Sequence, residues 1–234
     1  MPINPISTPQ HPTRTLRLTH PTLWLFFLTL LTPPMANAAP VPFGEPPVLA
    51  TGLSGIRSVT SADLDGDGDL DVVAAATSGR RIAWFENTAG DASAWREWPI
   101  ATPGNPRQVV VGDLDGDGDL DVVSAEYLNQ VSWYENTNGD ASAWTSHTLN
   151  NLSFAYSVAL GDIDGDGDLD VWATSRADAS IPNAENTVVF LENVAGDASS
   201  WSPTVAVSNF GGAMSAALAD VDGDGDLDGL AVAQ

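Results

Sequence analysis

Asp63-Leu64-Asp65-Gly66-Asp67-Gly68-Asp69-Leu70-Asp71 decides how this chain is read. The same nine-residue pattern returns at Asp113–Asp121, Asp162–Asp170 and Asp220–Asp228. Every copy has aspartate at positions one, three, five, seven and nine, and glycine at four and six. Packing so many like charges into a short loop is unfavourable unless a cation neutralises them. A solvated acidic turn is the bland alternative, and four copies in one register argue against it.

Oxygen ligands at alternate positions suit a hard cation. Calcium takes about six to eight oxygens at roughly 2.3–2.6 Å, with side chains at loop positions one, three and five and a backbone carbonyl at seven. On that scheme Asp63, Asp65 and Asp67 offer carboxylates, Gly68 makes the sharp turn, Asp69 offers its carbonyl and Asp71 closes the site. Magnesium dehydrates reluctantly and rarely uses an all-protein cage. Zinc prefers nitrogen and sulfur, and this chain has no cysteine and 3 histidines.

An EF-hand or dockerin-like half would place an amphipathic helix after the loop, and an EF-hand a glutamate at position twelve. Position twelve is Ala74, Ser124, Ala173 or Ala231 here. The following runs, Asp71-Val72-Val73-Ala74 and Asp121-Val122-Val123-Ser124, are led by β-branched residues and predict buried strands.

Residues 1–38 have the make-up of an export signal. Arg14 and Arg17 precede an apolar run from Leu23 to Leu31, and Ala36-Asn37-Ala38 has the small-x-small cleavage pattern. That run is well short of the roughly 20 residues a membrane-spanning helix needs. Residues 39–47 are proline-rich and read as linker. Beyond residue 38 the charge is 6 − 31 = −25, because two of the 8 arginines lie in the signal and there is no lysine. Such acidity disfavours nucleic acid and anionic membrane as partners. With no disulfides, metal is the expected cross-link, in a secreted, cell-surface or periplasmic setting.

The first loop aspartates at 63, 113, 162 and 220 set periods of 50, 49 and 58. Units of about 40–50 residues with several short strands suggest propeller blades. A second motif keeps phase, running from Trp84-Phe85-Glu86-Asn87 to Trp95, from Trp133 to Trp144, and more loosely from Phe190 to Trp201. In the first unit strands are expected near 56–62, 71–77, 81–86 and 95–101, with a hairpin at Gly79 and a turn over 86–91. Val48–Thr51 is expected as an orphan fourth strand, and the extra length of unit three falls at 177–186. The recurrent tryptophans are read as filler between sheets rather than as a sugar-stacking platform. His147 is read as structural or exposed, and Arg80-Arg81 as a solvated hairpin tip.

Loop pattern, the Trp133-Tyr134-Glu135-Asn136 segment and the period together resemble the FG-GAP-like, or VCBS, repeat family, which is related to the calcium-bearing blades of integrin α-subunit propellers. The resemblance covers residues 48–234. It implies an all-β fold, a β-propeller with blades of four antiparallel strands and calcium between strands one and two. By resemblance the side-chain ligands are Asp63, Asp65, Asp67 and Asp71; Asp113, Asp115, Asp117 and Asp121; Asp162, Asp164, Asp166 and Asp170; and Asp220, Asp222, Asp224 and Asp228. Carbonyl oxygens come from Asp69, Asp119, Asp168 and Asp226. About four Ca2+ sites follow. Family propellers commonly have more blades than the three full units and part of a fourth found here, so a partial or truncated propeller is expected.

The function expected is a secreted calcium-binding module for adhesion to, or recognition of, an extracellular protein or glycan, with structural calcium and no catalysis. Two alternatives stand beside it: an extracellular lyase or hydrolase built on a propeller, and a fragment of a larger repeat protein. Outside the loops the recurring acids Glu86, Glu135 and Glu192 suit turns better than catalysis, and no serine–histidine–acid set is visible.

Overall fold

In the computed structural model the described residues are 48–49, 52–128, 130–176 and 186–233. The expected export signal and linker (1–47) and most of the insertion (177–185) lie outside them. The chain divides into two units, Met1–Glu45 and Pro46–Gln234, and the second carries the fold.

That unit is all-β, and every adjacent strand pair is antiparallel. Blade one contains β1 (Ile56–Ala62), β2 (Asp71–Ala76), β3 (Arg81–Glu86) and β4 (Arg96–Ala101) in sequential order. Blade two repeats it with β5 (Pro106–Gly112), β6 (Asp121–Glu126), β7 (Gln130–Asn136) and β8 (Trp144–Asn150). Blade three has β9 (Ala155–Gly161), β10 (Asp170–Ser175), β11 (Thr187–Asn193) and β12 (Trp201–Ser208). A two-stranded sheet of β13 (Ala213–Ala219) and β14 (Asp228–Ala233) begins a fourth. The architecture is a partial propeller, three full blades plus part of another.

The first unit follows its sequence pattern closely, because each strand boundary coincides with turn chemistry. One local expectation is refined. The β2–β3 hairpin falls at Gly79, yet the left-handed residue is Arg80, with φ of 48°. The expected strand at Val48–Thr51 is not seen over its described part. Val48 and Leu49 have no strand, and residues 50 and 51 lie outside the described set. Leu49 packs instead with Leu53 and Trp95 against Ala74, Ala83 and Phe85. Covering the apolar face of the first blade removes hydrocarbon from water, which a fourth edge strand would not do there.

The core lies between blades. Leu64, Val73, Ile82 and Trp84 of blade one meet Val109, Val122 and Tyr134 of blade two in one buried cluster. Val123, Val131 and Trp133 meet Val158, Val171 and Leu191 in the next. The middle strands β2, β6 and β10 are buried almost throughout, whereas β12 is largely exposed. Leu64 and Leu114, at position two of their metal loops, are each 1% exposed. The first two acidic loops are therefore anchored in interblade cores by their own leucines.

Candidate metal centres

Every acidic loop joins the first and second strands of its sheet, and its ninth aspartate is the first residue of the second strand. Strands, not helices, follow all four loops, which excludes a helical calcium hand. Gly66 and Gly68 take φ of 74° and 96°, a region open to glycine at little cost. Those two positions let the chain fold back on itself so that its carboxylates converge.

Four groups of carboxylates come together. One oxygen from each of Asp63, Asp65 and Asp71 lies within 4.8 Å of the others, and the same holds for Asp113, Asp115 and Asp117; for Asp162, Asp164 and Asp170; and for Asp220, Asp222 and Asp228. Asp67, Asp121, Asp166 and Asp224 stand outside these triads. Their roles differ. Asp67 Oδ1 accepts a hydrogen bond from the Asp69 N–H at 2.9 Å. Asp121 is spent on backbone: Oδ2 accepts from Leu114 N–H at 3.2 Å and Oδ1 from Asn136 N–H at 2.8 Å. Asp69, Asp119, Asp168 and Asp226 add no side-chain oxygen to a triad. The first three lie against the turn glycines Gly90, Gly139 and Gly196, where a Cβ would meet the carboxylate at 2.3, 2.2 and 2.3 Å.

Position nine has a structural duty that the repeat pattern alone does not disclose. Asp71 accepts from Leu64 N–H at 3.2 Å and from Asn87 N–H at 2.8 Å. Asp170 does the same with Ile163 and Asn193 at 3.0 and 2.9 Å. This aspartate ties its metal loop to the turn after the third strand. Asp71, Asp121 and Asp170 are each 1% exposed.

A divalent ion fits this donor set. Asp63 Oδ1 is buried and has no hydrogen-bond donor, a costly state for a carboxylate unless a cation faces it. Burial pushes Asp65, Asp71, Asp115 and Asp170 above the usual carboxylate range, and Asp121 up to about 6. Neither of the ion pairs Arg81–Glu97 and His147–Glu135 involves a loop aspartate. Arg81 and His147 thus do not supply the charge needed to hold these groups ionised. A bound cation reverses the local pKa logic.

The asparagine at the end of the third strand carries, in the sequence, only the signature of a turn former. It is a three-way junction. Asn136 Oδ1 accepts from Ala141 N–H at 2.9 Å, its N–H donates to Asp121, and its Nδ2 donates to the Leu64 carbonyl of the preceding blade at 3.1 Å. Asn193 repeats the pattern, with Nδ2 donating to Leu114 O at 3.0 Å. The signal was present as Asn87, Asn136 and Asn193 at constant phase, but the partner lies 72 residues away for Asn136.

Tryptophans divide between two tasks. Trp84 and Trp133 are 3% and 4% exposed within the interblade clusters, as filler should be. Trp95, Trp144 and Trp201 clamp turns, each indole N–H donating to the carbonyl three residues back, in Ala92, Ala141 and Ala198. Two of the recurring glutamates brace strands rather than turns: Glu86 Oε2 accepts from Trp98 Nε1, and Glu135 Oε2 pairs with His147 Nε2, both at 2.7 Å. His147 also stacks on Trp133, with centroids 4.4 Å apart. No helix among the described residues is long and apolar enough to cross a membrane.

The family of FG-GAP-like repeats matches residues 63–124 and again 113–173. Each match opens at the first aspartate of one metal loop and extends through the following loop. No curated protein matches the chain. With its repeat period, blade order and loop positions in agreement with these matches, the chain is an FG-GAP-like repeat protein.

Proposed function

We propose that this protein is an exported binding module whose blades are held in register by calcium. The observation that supports it most is the placement of the carboxylate triads. The first two sit in loops whose second residues, Leu64 and Leu114, are buried in interblade cores, so an ion there acts on the packing of blades rather than on a reaction. The residues that hold it are the triads Asp63, Asp65 and Asp71 and their counterparts, with the carbonyls of Asp69, Asp119, Asp168 and Asp226 as further oxygens. Bound calcium supplies positive charge to desolvated carboxylates and couples loop closure to folding.

The same reading makes the protein non-enzymatic. The metal loops are saturated with aspartates engaged with backbone N–H groups, and Glu86 and Glu135 are occupied in cross-strand contacts. Export follows from the leader-like residues 1–38 and from a chain with no cysteine and no lysine. Such a module recognises an extracellular protein or glycan.

The test is thermal unfolding of the mature protein with calcium and with excess chelator, beside direct counting of bound calcium. We expect about four ions per chain and a melting temperature lowered by chelation. At a free calcium of about 100 Kd, each site adds roughly 2.7 kcal/mol. Identical melting curves in the two conditions would remove calcium from the account.

A further inference from the structure

We infer that the cleft where the first strands of all four sheets begin is a receptor for the carboxylate of an acidic saccharide. This deepens the binding-module reading and rests on it, while using none of the metal-loop residues.

The cleft, about 430 Å³, is bounded by the second and third residues of β1, β5, β9 and β13. In every sheet the second residue is the extra one of a β-bulge. Register slips between Ile56 and Ser58, between Pro106 and Gln108, between Ala155 and Ser157, and between Ala213 and Ser215. Bulges re-aim side chains and concentrate beside binding sites. Here they direct Arg57, Arg107, Tyr156 and Met214 to one place. The metal loops leave the opposite ends of the same strands, so the loop carboxylates and these arginines are segregated along the blades.

Chemistry at the cleft is the inverse of the chain's average. Among 31 acidic residues in the sequence, none of the described residues lining the cleft is acidic, yet two of the six arginines beyond residue 38 are there. Arg57 is exposed. The Arg107 guanidinium carbon stands 4.5 Å from the Tyr127 ring centroid and 5.4 Å from that of Tyr156. Its Nε is buried with no acceptor. Aromatic faces hold that cation in position without neutralising it, which leaves a planar donor fork of the kind that matches a carboxylate.

The remaining lining favours a sugar over a peptide. Gln108 Oε1 accepts from Ser157 Oγ at 2.5 Å and from Val158 N–H at 3.2 Å, which turns the amide nitrogen into a further donor. The exposed Ser215 hydroxyl and that amide provide partners for ring hydroxyls, and Tyr156 provides an aromatic flank. Apolar lining is confined to Val59 and Met214, too little to seat hydrophobic peptide side chains.

The experiment is calorimetric titration of the calcium-loaded mature protein with trigalacturonate, with galactotriose and with hexaglutamate. We expect trigalacturonate to bind, galactotriose to bind at least tenfold more weakly, and hexaglutamate to bind no better than galactotriose. Arg57→Gln, on an exposed side chain, should weaken trigalacturonate roughly tenfold with an unchanged melting temperature; Arg107→Lys should weaken it similarly, since it keeps the charge and loses the fork. Equal binding of the neutral trisaccharide, preference for hexaglutamate, absence of trigalacturonate binding, or indifference to both substitutions overturns the inference. Calcium-dependent melting with no saccharide binding would sink this site and leave the calcium module standing. Arginine-dependent saccharide binding with calcium-independent melting would do the reverse.

Discussion

Asn136 Nδ2 donates to the carbonyl of Leu64 at 3.1 Å, joining the turn of one blade to the metal loop of the blade before it. Asn136 is 1% exposed, so all its polar atoms must be satisfied inside the protein. Asn193 repeats the bond to Leu114. Asn87 has no such partner, and its Nδ2 reaches only Leu70 O of its own blade at 3.5 Å.

Asn136→Ala should therefore cost about 3 kcal/mol, because it leaves a buried carbonyl and a buried N–H unpaired as well as removing three side-chain hydrogen bonds. Asn87→Ala should cost about 1 kcal/mol less, since no interblade bond is lost. Urea denaturation of both variants at fixed calcium measures the difference. Equal costs would mean that the interblade bond carries no net stability.

Alanine sits in the left-handed region at the same place in each turn. Ala92, Ala141 and Ala198 have φ of 62°, 53° and 54°, a conformation that costs a non-glycine residue about 1–2 kcal/mol. The reason glycine is absent differs between blades. Ala141 and Ala198 are 3% and 6% exposed and place their methyl groups in interblade clusters, whereas Ala92 is exposed. Ala92→Gly should raise stability by about 0.5–1 kcal/mol. Ala141→Gly should be neutral or harmful, because relief of strain is offset by a lost buried methyl worth about 0.8 kcal/mol. Melting temperatures of the pair check the contrast.

Gly112 ends β5 where a Cβ would meet Leu169 Cδ1 at 2.9 Å and Leu160 Cδ1 at 3.0 Å in the next blade. Ala62 holds the equivalent place in blade one, and the residue in the position of Leu160 is there the smaller Val111, within the same cluster. Volume is conserved across the junction. Gly112→Ala should cost about 1–2 kcal/mol through overpacking. Adding Leu160→Val should recover part of that loss, and a double-mutant cycle reads the coupling. Strict additivity would show that these residues do not compete for space.

Asp65 and Asp71 belong to one triad and should respond differently to substitution. Asp65→Asn retains an oxygen for the Asp67 N–H, which Oδ1 now accepts at 3.3 Å, and removes a charge from the site. It should weaken calcium binding and leave the chelated protein as stable as before, or slightly more so. Asp71→Ala removes the acceptor shared by Leu64 and Asn87 and should destabilise by about 2–3 kcal/mol with or without calcium. Melting curves in calcium and in chelator, run on both variants, separate metal binding from loop anchoring.

Sequence alone determined the strand-forming unit, the phase of the repeat and the acid-dense loops between first and second strands, because these are local. Asp-Gly periodicity dictates turns, and runs such as Val72-Val73-Ala74 dictate buried strands. It also carries Asn136 and the turn alanines at constant phase without disclosing their task. Tertiary structure decided that task, since each partner is supplied by the neighbouring blade and lies some 50–80 residues away, beyond the reach of any local pattern. It alone also brought the four bulged residues to one cleft: a bulge is a property of pairing register, and register exists only once two strands have met.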